Sequence, residues 1–306
     1  MIAHVKGWIG ALDASRDWKS YLGPYTAIFI LMMMVMSFSL LLAGKGFIWD
    51  VDGLSQQYVF FVYEGMWLRE LVGDVLAGQD LPLWTSQIGW GGDPFITLLS
   101  CIGDPLNLIS VFIPMQATDI VLNLTVPLRL YIAGLIFSGF CFYKGNARFA
   151  TLSASMVYLF GGFTTIAFTQ IFMLYPLVLG PLVLWGAEKL FGHESPLLFI
   201  VSMALAFLAG LTFGYATCLL LLLFCVVRFI FMDGQKGARL FFGLFARFLG
   251  CIVLGMVLSA IILVPSALAI LGQGRIGLER PEGLLYDINY YRDLLLGFGG
   301  IADVGA

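Results

Sequence analysis

Seven long apolar runs, each close to the length that crosses a bilayer as an α-helix, dominate this 306-residue chain. About 20 consecutive apolar residues span the hydrocarbon core of a membrane. Charged residues make up only 11% of the sequence, whereas soluble domains carry about 25%. We therefore predict an all-α polytopic membrane protein. The predicted spans are 24–45, 119–143, 147–169, 171–191, 196–211, 213–232 and 241–268.

Residues 46–118 form a long connection between the first two spans, and part of it is too polar to cross lipid. Within it, 54–78 has a helical periodicity that is typical of a helix lying in the membrane interface. Its apolar residues are Tyr58, Phe61, Val62, Met66 and Leu68, and its polar residues are Glu64, Arg69, Glu70 and Asp74. Residues 94–114 are apolar but interrupted by Asp104-Pro105. Because proline removes a backbone donor and disfavours helix in the residue before it, we predict two short helices that dip into the membrane.

The basic residues predict the orientation, since cytoplasmic loops are enriched in Lys and Arg. With the N-terminus inside, ten of the 16 basic residues lie on the inner side. We predict a cytoplasmic segment at 1–23, a transmembrane module at 24–268 and an outer segment at 269–306. Because the chain stops in an aqueous segment, we expect it to be truncated. The ten inner residues are Lys6, Arg16, Lys19, Lys144, Arg148, Lys189, Arg228, Lys236, Arg239 and Arg247.

The remaining composition argues against several classes of function. The net charge of −3 and the absence of a basic stripe in the sequence argue against nucleic-acid binding. The five cysteines show no CxxC spacing and lie mostly in apolar runs, so we expect small hydrophobic residues and not disulfides or metal ligands. Two histidines are too few for a zinc site.

Two carboxylates, Asp50 and Asp52, directly follow the first span. They have three interpretations. Both keep an outer loop hydrated, or Asp52 caps the helix that follows it, or Asp52 acts as a general base at the boundary between lipid and water. Position alone does not choose between them.

Arg129 lies inside the apolar run from Leu122 to Phe140. An arginine at the centre of a membrane helix costs about 2.5–3.5 kcal/mol on insertion scales. Its side chain therefore either reaches the outer headgroups, or pairs with Asp119, or binds the phosphate of a substrate. The planar guanidinium suits the last role because it donates two parallel hydrogen bonds.

Asp104 and Arg275 are further candidates. A carboxylate at membrane depth must line a polar cavity, so we expect Asp104 to belong to a site. We assign no cofactor and no metal ligands, although a divalent metal between Asp104 and Asp52 is left open. Arg275 follows the last span, where it either holds a substrate phosphate or binds ordinary anionic headgroups.

Six short strings along the chain, taken together and in order, resemble the N-terminal part of the YfhO family of bacterial membrane proteins. Members of that family are similar to GT-C-type glycosyltransferases, which use a polyprenyl-phosphate sugar donor. The strings are D-G-L-S-Q-Q-Y at 52–58, L-P-L-W at 81–84, G-W-G-G-D-P at 89–94, D-P-L-N-L at 104–108, S-M-V-Y-L-F-G-G-F at 155–163 and L-V-P-S-A-L at 263–268.

The resemblance implies that Asp52, which heads the first string, is the catalytic carboxylate, with Asp50 as its nearest competitor. It implies that Gln56 and Gln57 bind sugar or acceptor hydroxyls. The implied fold is a GT-C-like helix bundle in the bacterial plasma membrane. The implied partners are a polyprenyl-phosphate-linked sugar donor and an envelope glycopolymer acceptor such as a teichoic acid, at the outer face.

A transporter or flippase of lipid-linked precursors is the rival prediction, and a non-catalytic membrane scaffold is the third. Transporters often carry charged or broken spans in corresponding positions of two halves, with the binding site near the midplane. In this sequence the polar residues collect at the outer face. A cavity at that face holding Asp52 favours transfer, whereas a midplane cavity between two halves favours transport.

The predicted orientation has a direct test by cysteine labelling in a cysteine-free background. We expect Ser55→Cys to react with an impermeant reagent added outside, since residue 55 follows the first span. Gln235→Cys should react only after the membrane is permeabilised. Reaction of Gln235→Cys from outside would invert the topology and move Asp52 to the cytoplasmic side.

Overall fold

The chain folds almost entirely as helices, because backbone polar groups must pair within the protein wherever lipid excludes water. It divides into two compact units, Met1–Ala267 and Leu268–Ala306. In the second unit, the described residues are the end of the last helix and three helical residues. The computed structural model describes residues 18–80, 84–87, 91–94, 98, 103–168, 170–232, 237–272, 288 and 291–292.

Ten α-helices are assigned among the described residues, together with four short helices of other geometry. The α-helices are α1 (Trp18–Leu42), α2 (Val59–Ala77), α3 (Thr118–Tyr143), α4 (Arg148–Leu159), α5 (Gly162–Ala167), α6 (Tyr175–Phe191), α7 (Leu197–Leu208), α8 (Leu211–Ile230), α9 (Ala238–Leu258) and α10 (Ala260–Gly272). The short helices are a π-helix at Gly53–Tyr58 and 3₁₀ helices at Asn107–Phe112, Met115–Ala117 and Ile171–Leu174.

The predicted all-α polytopic membrane fold is confirmed. Six helical stretches of the described chain are long and apolar enough to cross a membrane. They are Trp18–Leu42, Met115–Tyr143, Arg148–Ala167, Ile171–Phe191, Phe213–Ile230 and Ala238–Leu258.

The structure differs from the predicted spans at three places. The predicted span 196–211 contains α7, which has 12 residues and a length of about 18 Å, well short of a hydrocarbon core of about 30 Å. The predicted span 147–169 is divided into α4 and α5, because Gly161 is extended with φ −75° and ψ 173°. The predicted span 241–268 is interrupted at Ser259, whose hydroxyl donates to the carbonyls of Gly255 and Met256 at 3.0 Å and thereby competes with the helix's own bonds.

Helix α1 joins the bundle through one stripe of side chains. The stripe recurs every four residues, as expected for one helix face, and its hydroxyl groups are paired as buried tyrosines require. The Tyr25 hydroxyl donates to the Tyr131 carbonyl at 2.8 Å, and the Tyr21 hydroxyl lies 2.7 Å from the Ser138 hydroxyl. The buried residues of the stripe are Tyr21, Tyr25, Phe29, Met33 and Ser37.

Glycines bring α7 close to its two neighbours. A Cβ on Gly186 of α6 would lie 2.6 Å from the Phe199 Cα of α7, and one on Gly255 of α9 would lie 2.9 Å from the Met203 Cβ. Helices in lipid gain no hydrophobic drive from each other, so close packing through small residues holds them together. Helix α7 is therefore packed closely between α6 and α9.

Three loops that we predicted on one side of the membrane lie, as far as they are described, at one end of the bundle, which we call the basic end (144–147, 192–196, 231–232 and 237). The Glu188 carboxylate near the end of α6 pairs with Lys144 at 2.7 Å and with Arg228 of α8 at 2.9 Å. Arg247 of α9 donates to the Glu194 carbonyl at 2.9 Å. The side of the membrane that this end faces stays a prediction.

The helix predicted at 54–78 is confirmed, since the π-helix and α2 run continuously from Gly53 to Ala77. It packs on the 3₁₀ helix Asn107–Phe112. A Cβ on Gly65 would lie 2.6 Å from the Ser110 carbonyl oxygen, and Arg69 donates to the carbonyls of Ser110, Val111 and Ile113 at 3.0–3.3 Å. Most of the first short helix predicted within 94–114 lies outside the described residues.

The segment before that 3₁₀ helix reaches the end of α7. A Cβ on Gly103 would lie 1.4 Å from the Leu208 carbonyl oxygen, so only glycine fits at this contact. The backbone at Gly103 thus abuts α7 where that helix stops. This contact gives a physical reason for the shortness of α7: the segment that carries Asp104 occupies the space beyond its last turn.

Two glycines of α2 provide a matched test of the contact between α2 and the 3₁₀ helix. Gly65→Ala should lower the free energy of unfolding by about 1–3 kcal/mol, since it overpacks a close backbone contact. Gly73→Ala, whose Cβ would meet nothing within 4 Å, should raise it by up to about 1 kcal/mol through helix propensity. Denaturant or thermal unfolding in detergent measures both, and equal effects would show that α2 does not pack on this helix.

Candidate functional site

Asp52 is held by a glutamine from a distant part of the chain. It occupies the position before the π-helix, where its side chain makes no capping hydrogen bond. Its Oδ2 atom instead accepts a hydrogen bond from the Gln170 side-chain amide. The side chain is half-buried, whereas Asp50 is exposed. The interpretation of Asp52 as a helix cap is therefore wrong. Asp52 also differs from Asp50 in its environment, because it is less exposed and accepts a hydrogen bond from Gln170.

Gln57 completes this Asp52 cluster (Asp52, Gln57 and Gln170). Its amide nitrogen donates to the Gln170 side-chain oxygen at 2.6 Å, and its own side-chain oxygen accepts from the Ile171 backbone N–H at 2.6 Å. Gln170 is thus fixed in one amide orientation, because its oxygen accepts from Gln57 while its nitrogen donates to Asp52. The predicted partner Gln56 is exposed, and its role stays a prediction.

The π-helix explains why Asp52 and Gln57 reach the same residue. Its hydrogen bonds join residues five apart, as the Leu54 N–H bond to the Trp49 carbonyl at 2.7 Å shows. Asp52 and Gln57 are also five residues apart, so one π turn brings both to the same side. An α-helical turn would instead have paired Asp52 with Gln56.

Gln170 was missed by the sequence analysis. It is a polar residue between two apolar segments that we took as separate spans, 147–169 and 171–191. An amide at such a junction needs partners, which is a signal that was available from the sequence. The identity of its partners was not available from the sequence, since Asp52 and Gln57 lie more than 110 residues earlier in the chain.

A second polar group, the Arg129 cluster, lies deeper in the protein and consists of Glu64, Asp104, Asn107, Thr125 and Arg129. Arg129 is 1% exposed and Asp104 is 3% exposed. The guanidinium donates to the Asp104 carboxylate through Nε at 2.9 Å and through a terminal nitrogen at 2.8 Å. It also donates to the Thr125 hydroxyl and to the Asn107 side-chain oxygen.

This geometry decides what Arg129 pairs with. Its partner is Asp104 and not Asp119, and the side chain does not reach the surface. The other Asp104 oxygen accepts from the Leu106 N–H at 2.9 Å, so the carboxylate is satisfied as buried charges must be. The roles of Arg129 and Asp104 in substrate binding stay predictions. Arg275 lies outside the described residues.

Glu64 is the most unusual residue of the cluster. It is fully buried, and neither carboxylate oxygen has a hydrogen-bond partner in the part of the chain that the structure describes. Burial, reinforced by the nearby Asp104 carboxylate and opposed by Arg129, raises the pKa of Glu64 to about 8. At neutral pH the side chain therefore carries a proton. The Tyr175 hydroxyl, close to Asp104 and Arg129, is likewise buried and has no hydrogen-bond partner among the described residues.

From the sequence we predicted that Glu64 is one of the polar residues of an interfacial helix. The structure corrects this, because Glu64 lies three residues after the buried Phe61 and three before the buried Trp67. Residues three apart share a helix face, so this spacing was the available signal. Among the described residues, no three His, Cys, Asp or Glu side chains come together as a metal-binding group.

The fold and these clusters define a polytopic, all-helical membrane protein with a polar site on the segment that follows its first span. The chain belongs to a family described as bacterial membrane protein YfhO, whose model matches residues 26–303. The resemblance found in the sequence motifs is thereby confirmed. Comparisons with curated proteins and with solved structures give no match.

The buried acid predicts a pH-dependent stability. Between about pH 4.5 and 8 the folded protein keeps the Glu64 proton while the unfolded chain loses it. The free energy of unfolding should therefore fall as pH rises through this window, by up to about 1.4 kcal/mol per pH unit. Glu64→Gln should remove this fall and leave the protein more stable at pH 8.

The exposed Glu70 of the same helix provides the control for this pH series. Glu70→Gln should keep the pH dependence of the unaltered protein, and unfolding in detergent at pH 5, 6, 7 and 8 measures all three proteins. A Glu64→Gln protein that follows the unaltered curve would mean that Glu64 is already ionised in the folded state.

Proposed function

We propose that this protein is a membrane glycosyltransferase. It transfers a sugar from a polyprenyl-phosphate donor to an envelope glycopolymer, such as a teichoic acid, at the outer face of the bacterial plasma membrane. The observation that carries the proposal is the state of Asp52: its carboxylate is not used for helix capping and is oriented by Gln170. Membership of the YfhO family supports the same class of reaction.

In this proposal Asp52 is the general base. One carboxylate oxygen is held by Gln170, and the other accepts the proton of the acceptor hydroxyl. The acceptor oxygen then forms a bond to the anomeric carbon of the sugar as the bond from that carbon to the donor phosphate breaks. The phosphate leaves with the bonding electrons. General-base catalysis of this kind contributes about 10²–10⁴-fold to the rate.

A cation must stabilise the charge on the departing phosphate, as electrostatic stabilisation does in many transfer reactions. Arg129 and Arg275 are the two proposed residues. All three guanidinium nitrogens of Arg129 already donate to Asp104, Thr125 or Asn107. These bonds use four of the five N–H groups of Arg129, so a phosphate that binds Arg129 has to take the remaining N–H group or replace one of these partners.

Transport of a lipid-linked precursor is the second candidate function. Discontinuous helices and buried charges mark binding sites near the midplane in many transporters. This chain has the break between α4 and α5, the short α7 and the Asp104–Arg129 pair. A transporter of this design depends on the Arg129 cluster and tolerates changes of Asp52, which is the reverse of the expectation for a transferase.

The proposal predicts that Asp52 carries the reaction. Asp52→Asn keeps the size of the side chain, so folding should change little while the base is lost. Sugar transfer by membranes containing the protein should fall by about 10²–10⁴-fold, with protein levels unchanged. Incorporation of a labelled sugar into the envelope polymer measures the rate.

The matched control is Asp50→Asn, two residues earlier and exposed, which should cost far less activity. If only Asp50→Asn abolished transfer, the base would be Asp50. If neither substitution mattered, the transferase proposal would be wrong, and a loss of lipid-precursor movement on disrupting the Asp104–Arg129 pair would favour the transporter.

A further inference from the structure

An apolar groove separates α8 from α9. Both helices pack against α7, and they leave between them a cavity of about 290 Å³ lined by apolar side chains such as Leu222, Phe229 and Phe245. Along α8 it runs from Tyr215 to Phe229, a distance of about 21 Å at the helical rise. One leaflet of hydrocarbon is about 15 Å thick, so the groove is long enough for a lipid acyl chain.

A second cavity, of about 490 Å³, adjoins this groove at the basic end. Leu244 lines both cavities, so they meet at one residue of α9. Arg239, Gly243 and Arg247 also line the second cavity and recur every four residues, which puts them on one helix face. A Cβ on Gly243 would meet no atom of the described residues within 4 Å, so the glycine leaves a gap between the two arginines.

The charge of this second cavity is not neutralised within the described part of the chain. Arg247 bonds to the Leu190 and Glu194 carbonyls and to a His193 ring nitrogen, none of which is a carboxylate. Arg239 is exposed, and no ion pair of the described residues includes either arginine. Helix α9 begins beside them at Ala238 without a side-chain cap, and the N–H groups of a helix start favour an anion.

We propose that the two cavities form one binding site for an anionic phospholipid of the membrane. The headgroup phosphate lies in the gap at Gly243 between Arg239 and Arg247, and an acyl chain fills the groove between α8 and α9. An anionic group joined to a long apolar chain matches both parts of the site at once. Basic pockets between membrane helices bind anionic headgroups in this way.

This lipid site is separate from the Asp52 cluster and does not depend on the proposed transfer reaction. Ser20, near the start of α1, accepts a hydrogen bond from Arg148 at the basic end. From Ser20, α1 continues to Leu42, about 33 Å away at the helical rise, before the segment that carries Asp52. The lipid and the carboxylate therefore lie at opposite ends of the bundle.

Lipid binding to the purified full chain tests the proposal. Native mass spectrometry in neutral detergent counts phosphatidylglycerol and phosphatidylcholine bound to each chain. We expect phosphatidylglycerol to bind in preference, and Gly243→Leu to abolish that preference by filling the headgroup gap. The matched control is Gly250→Leu on the same helix. A Cβ on Gly250 also meets no described atom within 4 Å, and Gly250 lines neither cavity. The Gly250→Leu protein should therefore bind both lipids as the unaltered protein does.

A charge variant gives an independent measurement. Arg239→Gln should weaken phosphatidylglycerol binding about five-fold, whereas Arg148→Gln, at the same end but outside both cavities, should not.

Several results would overturn the assignment. Equal binding of the two lipids would mean that the arginines do not select an anionic headgroup. Undiminished binding in Gly243→Leu would mean that the headgroup does not lie in the gap. Complete displacement of the lipid by inorganic phosphate would make the site one for free phosphate. A dimer that dissociates in Gly243→Leu would mean that a second copy of the chain fills the groove.

Discussion

The buried ion pair between Asp104 and Arg129 is the interaction on which the segments after the first span depend. Two charges removed from water are tolerated only when they pair well and their remaining hydrogen-bonding groups are satisfied. Asn107 and Thr125 accept further hydrogen bonds of the guanidinium, and the Leu106 N–H donates to the second carboxylate oxygen. Since Arg129 belongs to α3 while Asp104 belongs to a connecting segment, the pair holds that segment in the bundle. Loss of either partner would leave a bare charge, at a cost of about 3–5 kcal/mol.

The order imposed by this pair extends to Asp52 through a short series of contacts. The 3₁₀ helix that follows Asp104 holds α2 through the close approach at Gly65 and the three carbonyl bonds of Arg69. Helix α2 continues directly from the π-helix, whose Gln57 binds Gln170. The Asp52 carboxylate is therefore supported on one side by a helix anchored to the Arg129 cluster and on the other by Gln170. A general base needs this kind of support, because its oxygen must stay within hydrogen-bond reach of the proton that it removes.

Local patterns predicted the helices well, and contacts between distant segments account for what they missed. Apolar length predicted the membrane fold, and periodicity predicted the helix at 54–78, because both depend on neighbouring residues alone. Glu64 was assigned by residue type to the polar face, although its spacing from Phe61 put it on the buried one. The partners of Arg129 and Gln170 come from segments 25 and more than 110 residues away. No local periodicity encodes those pairings, so a motif pointed to Asp52 and Gln57 as candidates but not to Gln170, which binds both.

The proton on Glu64 is part of what keeps the Arg129 cluster in one arrangement. With Glu64 neutral, Asp104 and Arg129 balance and the cluster has no net charge. If Glu64 ionised, two buried carboxylates would compete for one guanidinium, and like charges in a low-dielectric site repel strongly. Arg129 would then be drawn away from Asp104, which would loosen the segment that holds the 3₁₀ helix and, through it, α2. The neutral state of Glu64 would then contribute to the geometry at Asp52, because Glu64 lies on α2 and α2 continues directly from the π-helix that follows Asp52.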